Sequence, residues 1–359
     1  MSSILKQSIK TRRIWGAFRQ ARVLLTANNY RIFDYLEKPL SAGIVAKKLN
    51  TDLRGTTILL DALTGLGFLT KQNNKYQNTK LSSEFLVAGS RHYQGNIIRH
   101  AETLWQNWSG LDEIVKTGKP GRKAHDHEAF ILGMHDLASL KVEKVLKAIG
   151  LKGVRTALDL GGGPGTYSIE MSKKGVEVTL FDRPETIEIA KRVIGKEENI
   201  QCDINSSKGR HSRESGNPEG NWIPGQARND KLLKTCVVGQ SNINFIKGDF
   251  IHDDIGNGYD LIFASQVLHS NSEKDNIHVV KKCKKALNKN GRIVVQEFFI
   301  SKDLTQPPNS ALFAVNMLVN TEGGRCYSPE EMKRWLLKIG MKDIKEKLID
   351  DSVLISAKK

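Results

Sequence analysis

Long apolar runs and paired cysteines are what this sequence has least of. No apolar stretch approaches the roughly 20 residues that a membrane-spanning helix needs. The first residues contain no apolar segment before a small-residue cleavage site, so we expect neither a membrane span nor a secretory signal. The four cysteines stand far apart without a CxxC pair. This argues against a zinc ribbon or a disulfide scaffold and predicts a cytoplasmic protein.

Acidic residues are few relative to basic ones, 39 against 55, which gives a formal net charge of +16. A basic balance occurs in proteins that bind nucleic acids, anionic membranes or acidic ligands, and also in proteins with a lysine-rich solvated surface. The basic residues are spread along the chain rather than gathered in one tail, which favours the solvated surface. The length of 359 residues predicts about two domains, and 39% hydrophobic residues exclude a fibrous or wholly disordered chain.

The N-terminal part of the chain has helical periodicity followed by a hairpin. Three apolar-periodic segments precede the stretch LTKQNNKYQNTK, which has Asn73-Asn74 at its turn. Three helices followed by a two-stranded wing are typical of a winged-helix domain. We assign this otherwise all-helical domain to residues 1–110 and a helical linker to residues 111–150.

From residue 151 onward, strand-like runs alternate with helical segments. The runs are RTALDLGG, VEVTLFD, INFIKGD, YDLIFASQVLH and GRIVVQEFFI. Alternation of this kind predicts an α/β, Rossmann-like domain over residues 151–359, with a parallel sheet covered by helices on both faces. The tail KDIKEKLIDDSVLISAKK predicts two final antiparallel strands that turn at Asp350-Asp351.

A long segment, residues 201–241, interrupts this alternation. We expect the helix before it to end near Ile194 and the next strand to begin at Ile243. The segment is rich in Gly, Asn, Ser and Arg and has no sustained periodicity, as in functional or disordered loops. Its stretch SRESGNPEGNWIPGQARNDK resembles the translation of palindromic repeat elements inserted in some bacterial genes. We therefore expect a disordered surface insertion without a chemical role.

A glycine-rich turn between a predicted strand and a predicted helix carries the first chemical signal. It is the stretch LDLGGGPG, with Gly161 and Gly163. Glycines let the backbone approach a ligand closely, and the helix that follows offers unpaired N–H groups. Asp159 precedes the first glycine by two positions. Asp182 ends the next strand, where a carboxylate can accept both hydroxyls of a ribose.

The turn departs from the dinucleotide pattern GxGxxG at two positions. Thr166 occupies the place of the last glycine, and Pro164 lacks an N–H donor that a pyrophosphate would use. A ligand with a ribose but no phosphate fits better, which indicates S-adenosylmethionine.

Three further residues complete the predicted cofactor site. Asp249 and Phe250 end the third strand, where a carboxylate can pair with an adenine and a ring can stack on it. A polar cap at the strand end is the alternative role of Asp249. Ser265, in the fourth strand-like run, is the last member of the set.

On these motifs, residues 155–350 resemble the class I S-adenosylmethionine-dependent methyltransferases. With the N-terminal domain, almost the whole chain resembles the plant-type small-molecule O-methyltransferases and their bacterial relatives. The matching segments are LDLGGGPGTYSIEM, FDRP, GDF, VLHSNSEKDN, NKNGRIVVQEFF and NMLVNTEGGRCYSPEEMKRWLLKIGM. The resemblance implies a seven-stranded sheet, a homodimer formed through the N-terminal domain, and methyl transfer to a hydroxyl of a small aromatic, isoprenoid or polyketide-like acceptor.

The resemblance also implies catalytic roles. His269 matches the family's general base, for which the alternative is a polar strand-end residue that lines the cofactor site. Glu297 matches the first of two glutamates that orient this histidine, whereas Cys326 takes the place of the second. From the resemblance we expect five residues to line the acceptor pocket: Trp105, Trp108, Phe313, Asn316 and Met317. The alternative is that they are ordinary core residues.

Two other readings of the chain remain open. The first is methyl transfer to carbon or nitrogen without a histidine base. The second is a winged-helix nucleic-acid-binding protein with a vestigial cofactor domain. Its recognition segment would carry one arginine, Arg54, beside Asp52 and Asp61, and is apolar enough to be a dimer interface, so we do not expect nucleic-acid binding.

A histidine-rich stretch is the last motif of note. The side chains of His125, Asp126, His127 and His135 fit no standard zinc spacing, so we expect a solvated loop and no metal.

Overall fold

The computed structural model describes residues 3–121, 123–208 and 242–359. In the N-terminal part, helices surround a small antiparallel sheet. Its elements are α1 (Ser3–Gly16), α2 (Phe18–Asn29), α3 (Ile32–Tyr35), β1 (Leu40–Ser41), α4 (Ala42–Leu49), α5 (Leu53–Gly65), β2 (Leu69–Gln72), β3 (Lys75–Asn78) and α6 (Lys80–Phe85).

The expected wing is present as the hairpin β2–β3. Asn73 and Asn74 at its turn both have positive φ, 48° and 57°, which suits a two-residue hairpin turn and is tolerated well by asparagine. The short strand β1 pairs with β3, so the wing has three strands rather than the two expected. The core beneath it is formed by Phe33, Leu60 and Tyr76 with their neighbours.

Four helices connect this part to the large sheet: α7 (Gly95–Trp108), α8 (Leu111–Thr117), α9 (His127–Ser139) and α10 (Val142–Ile149). Helix α7 packs against α2, α9 and, further along the chain, α14 (Pro308–Asn320). Asp136 of α9 accepts hydrogen bonds from the backbone N–H groups of Asn96 and Ile97, which lie in the first turn of α7. Helices α7 to α10 thus join the N-terminal domain to the helices that cover the sheet.

The C-terminal part is a seven-stranded sheet with helices between its strands. Its elements are β4 (Thr156–Leu160), α11 (Thr166–Lys173), β5 (Glu177–Asp182), α12 (Pro184–Lys208), β6 (Ile243–Lys247), β7 (Tyr259–Ser265), a 3₁₀ turn (Leu268–Ser270), α13 (Glu273–Ala286), β8 (Leu287–Phe298), α14, α15 (Pro329–Lys338), β9 (Lys342–Ile349) and β10 (Ser352–Lys358).

The strand order is β6-β5-β4-β7-β8-β10-β9, parallel except for β10, which runs antiparallel to both β8 and β9. Alternate residues of β4 face opposite layers: Ala157 belongs to one buried cluster, and Leu158 and Leu160 belong to the other. The α/β fold class, the seven strands and the terminal hairpin are confirmed. Because the chain leaves β4 for β5 on one side and β7 lies on the other, the carboxyl ends of β4 and β7 form the crevice where such sheets bind ligands.

The helix after β5 differs from the expectation. It does not end near Ile194 but continues to Lys208. The expected insertion covers residues 201–241. Of these, residues 209–241 lie outside the part of the chain that the structure describes. None of the helices in the described part of the chain is long and apolar enough to cross a membrane.

Candidate active site

The glycine turn lies at the carboxyl end of β4 and leads into α11. Gly161 and Gly163 have φ values of 67° and 54°, which a residue with a side chain adopts only with strain. A Cβ on Gly161 would lie 2.7 Å from Cγ2 of Val267, whereas a Cβ on Gly163 would meet nothing within 4 Å. The first glycine therefore allows close packing of the turn on the end of β7, and the second leaves the backbone open to the crevice.

Asp182 connects the end of β5 to this turn. Its Oδ2 accepts a hydrogen bond of 2.8 Å from the Gly163 N–H, and its Oδ1 accepts one of 2.7 Å from the Arg183 N–H. Burial raises the pKa of Asp182 above its ordinary value, against the lowering effect of these hydrogen bonds. The carboxylate lines the crevice at the position expected for a group that accepts ribose hydroxyls.

Asp159 lies beneath the turn and is almost fully buried. Its Oδ2 accepts a hydrogen bond of 2.7 Å from the Ser168 hydroxyl, on the first turns of α11. Burial, with a smaller contribution from the charge of Asp182, raises the pKa of Asp159 to about 6, although the Ser168 hydrogen bond opposes the shift. Asp159 therefore connects β4 to α11 and places a second acid close to Asp182.

The other predicted cofactor residues do not all reach the crevice. Phe250 and Ser265 line it, and Ser265 Oγ donates to Gln296 Oε1 over 3.2 Å. Asp249 is not part of the lining. Its Oδ1 accepts a hydrogen bond of 2.8 Å from the Ile251 N–H, an arrangement that caps the turn after β6.

His269 and Glu297 form a buried pair at the ends of β7 and β8. His269 Nδ1 lies 2.7 Å from Glu297 Oε2. Glu297 Oε1 accepts from the backbone N–H groups of Leu268, at 2.7 Å, and His269, at 3.3 Å. One carboxylate thus holds both the imidazole ring and the 3₁₀ turn that carries it. The Nε2 atom of His269 has no hydrogen-bond partner within the described part of the chain, and the side chain lines the crevice.

Cys326, where the resemblance led us to expect a second glutamate, lies beside this pair. Its side chain is buried, and Sγ donates to the Ser310 carbonyl oxygen over 3.2 Å. Burial, together with the negative charge of Glu297, raises the pKa of the Cys326 thiol to about 12. The thiol is therefore neutral at physiological pH and adds no second charge beside His269.

The predicted acceptor residues line the same cavity as the predicted cofactor residues other than Asp249. The cavity has a volume of about 2070 Å³, and its lining includes Trp105, Trp108, Phe313, Asn316 and Met317. The Phe313 ring stands edge-on to His269, with 4.9 Å between ring centroids. Trp108 Nε1 donates to Asn316 Oδ1 over 2.9 Å. A molecule in this cavity can contact both the glycine turn and His269.

The histidine-rich stretch was expected to be a solvated loop, and this expectation is wrong for two of its members. His127 and His135 lie on α9, which packs over the start of α11 and α12. His127 Nε2 lies 3.1 Å from the Thr186 hydroxyl, and His135 Nδ1 lies 2.9 Å from the Thr166 hydroxyl. Among the described residues, no group of three or more His, Cys, Asp and Glu side chains is arranged to hold a metal ion.

Gln266 is a residue of the site that the sequence did not indicate. It has a φ of 54° without being glycine, lines the cavity, and carries a buried Nε2 without a hydrogen-bond partner in the described chain. Strained backbone and unpaired buried donors are enriched at ligand sites. A single sequence contains no signal for either property, so this residue was found from the structure alone.

The hydrogen-bonding groups of the crevice fit a nucleoside without phosphates. The turn has Pro164 at its tip, and the N–H groups of Gly161, Gly162 and Gly163 are already hydrogen-bonded to Phe181 and Asp182. The Asp182 carboxylate lines the crevice at the end of β5. Carboxylates accept ribose hydroxyls and disfavour phosphates, and the unpaired Gln266 amide provides a further donor.

Comparison with known proteins identifies related chains. A family model described as the O-methyltransferase domain matches residues 94–215 and 231–342, and one described as the O-methyltransferase dimerisation domain matches residues 13–88. The break in the first match falls within the segment 201–241.

Among characterised relatives, the chain is similar to 3-hydroxy-5-methyl-1-naphthoate 3-O-methyltransferase of Streptomyces sahachiroi, with 25% identity over 84% of this chain and 79% of the relative. It is 26% identical to acetylserotonin O-methyltransferase of Macaca mulatta over 95% of each chain. In fold it is similar to human N-acetylserotonin methyltransferase solved in complex with SAM, with a TM-score of 0.80, 23% identity, and coverage of 100% of this chain and 99% of that one.

Proposed function

The chain belongs to the O-methyltransferase family, and on that premise we propose that it methylates a hydroxyl of a small aromatic acceptor with His269 as general base. It is an enzyme, and S-adenosylmethionine is its methyl donor. The observation that carries the proposal is the His269–Glu297 pair, whose free ring nitrogen shares one cavity with the glycine turn and Asp182.

The residues that would hold the donor surround the crevice at β4 and β5. The open backbone at Gly163 and the turn at Gly161 would accommodate the amino-acid end, Asp182 would accept the ribose hydroxyls, and Phe250 would pack on the adenine. Asp249 remains a predicted partner of the adenine amine, although it is not among the described residues that line the cavity and its Oδ1 accepts from the Ile251 N–H. When bound, S-adenosylmethionine supplies a methyl group already activated by its sulfonium.

The protein's own task is to prepare the acceptor. A phenol has a pKa near 10 and is a poor nucleophile until its proton is removed, for which a base that titrates near neutrality is suited. Glu297 accepts the hydrogen bond from His269 Nδ1–H, which fixes the tautomer whose Nε2 is free to take the proton. The carboxylate then stabilises the imidazolium until the proton passes to solvent.

The aromatic rings beside His269 orient the acceptor. Phe298 and Phe313 lie with ring centroids 4.4 Å apart, and both rings contact the histidine. An aromatic acceptor packed on them would present its hydroxyl to Nε2 in a restricted geometry. Such positioning supplies much of the rate gain when the electrophile is already activated.

We also propose that the enzyme is a homodimer formed through the N-terminal domain. The dimerisation-domain match covers α5, on which Leu53 and Ile58 are exposed. Exposed apolar side chains on this helix favour a protein contact over a phosphate backbone. Light scattering after gel filtration tests this, since a Leu53→Glu, Ile58→Glu double variant should shift the protein to the monomer.

The test of donor binding is calorimetric titration with S-adenosylmethionine and S-adenosylhomocysteine. We expect micromolar affinity for the wild type and its loss in Asp182→Ala. Asp260→Ala is the matched control, because Asp260 also accepts two backbone N–H groups but lies at the opposite end of the sheet. Loss of binding in both variants, or in neither, would contradict the assignment of Asp182.

The reaction itself is tested with methyl-labelled donor and a panel of phenols. We expect the label on oxygen, in an acid-stable methyl ether. Label on carbon or nitrogen would instead support the alternative reaction, in which His269 is not needed as a base.

A further inference from the structure

We propose that the acceptor carries no carboxylate or other anionic group and is bound as an uncharged aromatic alcohol. This inference deepens the proposed function and rests on it. It comes from the kinds of side chain that surround His269 and from where the charged side chains of the cavity lie.

The wall next to His269 is made of neutral groups. Phe298, Phe313 and Met317 supply its apolar surface. Aromatic rings at these distances form a flat slot that suits a planar ring and offers no partner for a charge.

The polar part of this wall is a network of neutral hydrogen bonds. Asn316 Oδ1 accepts from Trp108 Nε1 at 2.9 Å and from Asn320 Nδ2 at 3.0 Å. Asn320 Oδ1 in turn accepts from Asn107 Nδ2 at 3.0 Å. Because Asn316 Oδ1 is used in this way, its amide N–H groups are what it can offer an acceptor, and they donate hydrogen bonds without supplying a positive charge.

The lysine and arginine side chains of the described lining lie on other segments of the chain than this wall. Among the described lining residues, the lysine and arginine side chains are Lys141 and Arg183. Arg183 directly follows Asp182 on the donor side, and Lys141 precedes α10, which packs on α11 rather than on α14. Neither residue belongs to β8 or α14, the elements that carry Phe298, Phe313 and Met317.

Besides Glu297, a second acidic side chain lies close to this wall in sequence. Glu322 lines the cavity just after α14, and the glycines that follow it pack their backbone on the His269–Ser272 turn. An acceptor carboxylate here would leave water without a lysine or arginine partner on the described part of this wall, and it would share the cavity with the Glu322 carboxylate. Both effects select against an anionic acceptor.

The experiment uses three matched ligands: 2-naphthol, 6-hydroxy-2-naphthoate and the methyl ester of that acid. The ester has the bulk of the carboxylate without its charge. Binding is measured by quenching of tryptophan fluorescence in the full-length protein saturated with S-adenosylhomocysteine. We expect the naphthol and the ester to bind at least about tenfold more tightly than the free acid, as unpaired burial and like-charge repulsion predict.

A charge-reversal variant sharpens the test. Glu322→Lys should raise the affinity for the free acid relative to the ester, whereas Glu330→Lys, with the same change in net charge outside the cavity lining, should leave the ratio unchanged. Equal or tighter binding of the acid by the wild type would overturn the proposal. Failure of all three ligands to bind would overturn it as well, and retained S-adenosylhomocysteine binding would then leave the methyltransferase assignment intact.

Discussion

His269 and Glu297, 28 residues apart in the chain, meet through a hydrogen bond of 2.7 Å between Nδ1 and Oε2. The same carboxylate accepts the backbone N–H of Leu268, so the position of the ring and the position of its turn depend on a single side chain. Both residues are almost completely buried. In such a setting, the hydrogen bond determines which ring nitrogen is available to a substrate.

Glu297→Gln tests this dependence. The amide oxygen can still accept the Leu268 N–H, but an amide N–H in place of Oε2 would donate to Nδ1 and move the ring proton to Nε2. We expect kcat to fall by about 10²–10⁴, the usual contribution of a general base, with S-adenosylhomocysteine affinity retained. Steady-state kinetics and calorimetry measure the two quantities. A kcat close to that of the wild type would show that Glu297 does not orient the base.

Gly161→Ala and Gly163→Ala form a matched pair. Both glycines have positive φ, so each substitution should cost about 1–2 kcal/mol of unfolding free energy. Only the Gly161 Cβ would contact Val267, at 2.7 Å, so this variant should lose about 1–3 kcal/mol more. Urea unfolding measures the difference, and Gly161→Ala combined with Val267→Ala should recover the contact part. Equal losses in the two single variants would contradict the packing argument.

Asp159→Asn should change how stability depends on pH. Because burial raises the pKa of Asp159 from 3.8 to about 6, its contribution to stability is fully present below pH 3.8 and is lost as the pH rises through 6. Asparagine resembles the protonated form, so the variant should gain stability relative to the wild type between pH 4 and pH 7, by at most about 3 kcal/mol. Unfolding of the ligand-free protein in urea measures this.

Asp260→Asn is a control in which the change in stability with pH should have the opposite sign. Burial alone would raise the pKa of Asp260. Hydrogen bonds from Asn288 and from the Arg155 N–H outweigh burial and hold this pKa below its ordinary value. This variant should therefore lose stability relative to the wild type as the pH rises through the titration range of aspartate. A difference from the wild type that does not change with pH in either variant would contradict the account.

Cys326 should be unreactive in the native enzyme. Its thiol is buried and its pKa is raised to about 12, so the thiolate fraction at pH 8 is very small. We expect alkylation by iodoacetamide to be at least about 100-fold slower than that of a free cysteine. Mass spectrometry of the peptide that contains Cys326, with and without urea, gives the two rates. Equal rates would show that the thiol is exposed or ionised.

The sequence predicted the fold, and the location of the residues near the glycine turn could be inferred from it, because both depend on local pattern. Strand–helix alternation determines the parallel sheet. Asp182 is the last residue of a strand, so its place at the carboxyl edge of the sheet follows from the fold alone. Helix ends are less predictable, since α12 continues through the polar residues after Ile194.

Contacts between distant segments were not predictable in this way. His127 and His135 meet Thr186 and Thr166 because α9 crosses the starts of two helices, and no spacing in the sequence encodes that crossing. The positive φ of Gln266 likewise arises where β7 meets the glycine turn. Asp249 shows the converse: a suitable residue at a strand end is directed to its own turn rather than into the cavity.

The measurement that tests the central claim most directly is the effect of His269→Gln on kcat, with the Kd for S-adenosylhomocysteine measured on the same variant. We expect kcat to fall at least about 100-fold while the Kd changes by less than about threefold, because the residue acts on the acceptor's proton and not on the donor. Acceptors with more acidic hydroxyls should recover part of the lost rate. A variant with unchanged kcat would contradict the role of His269 as general base.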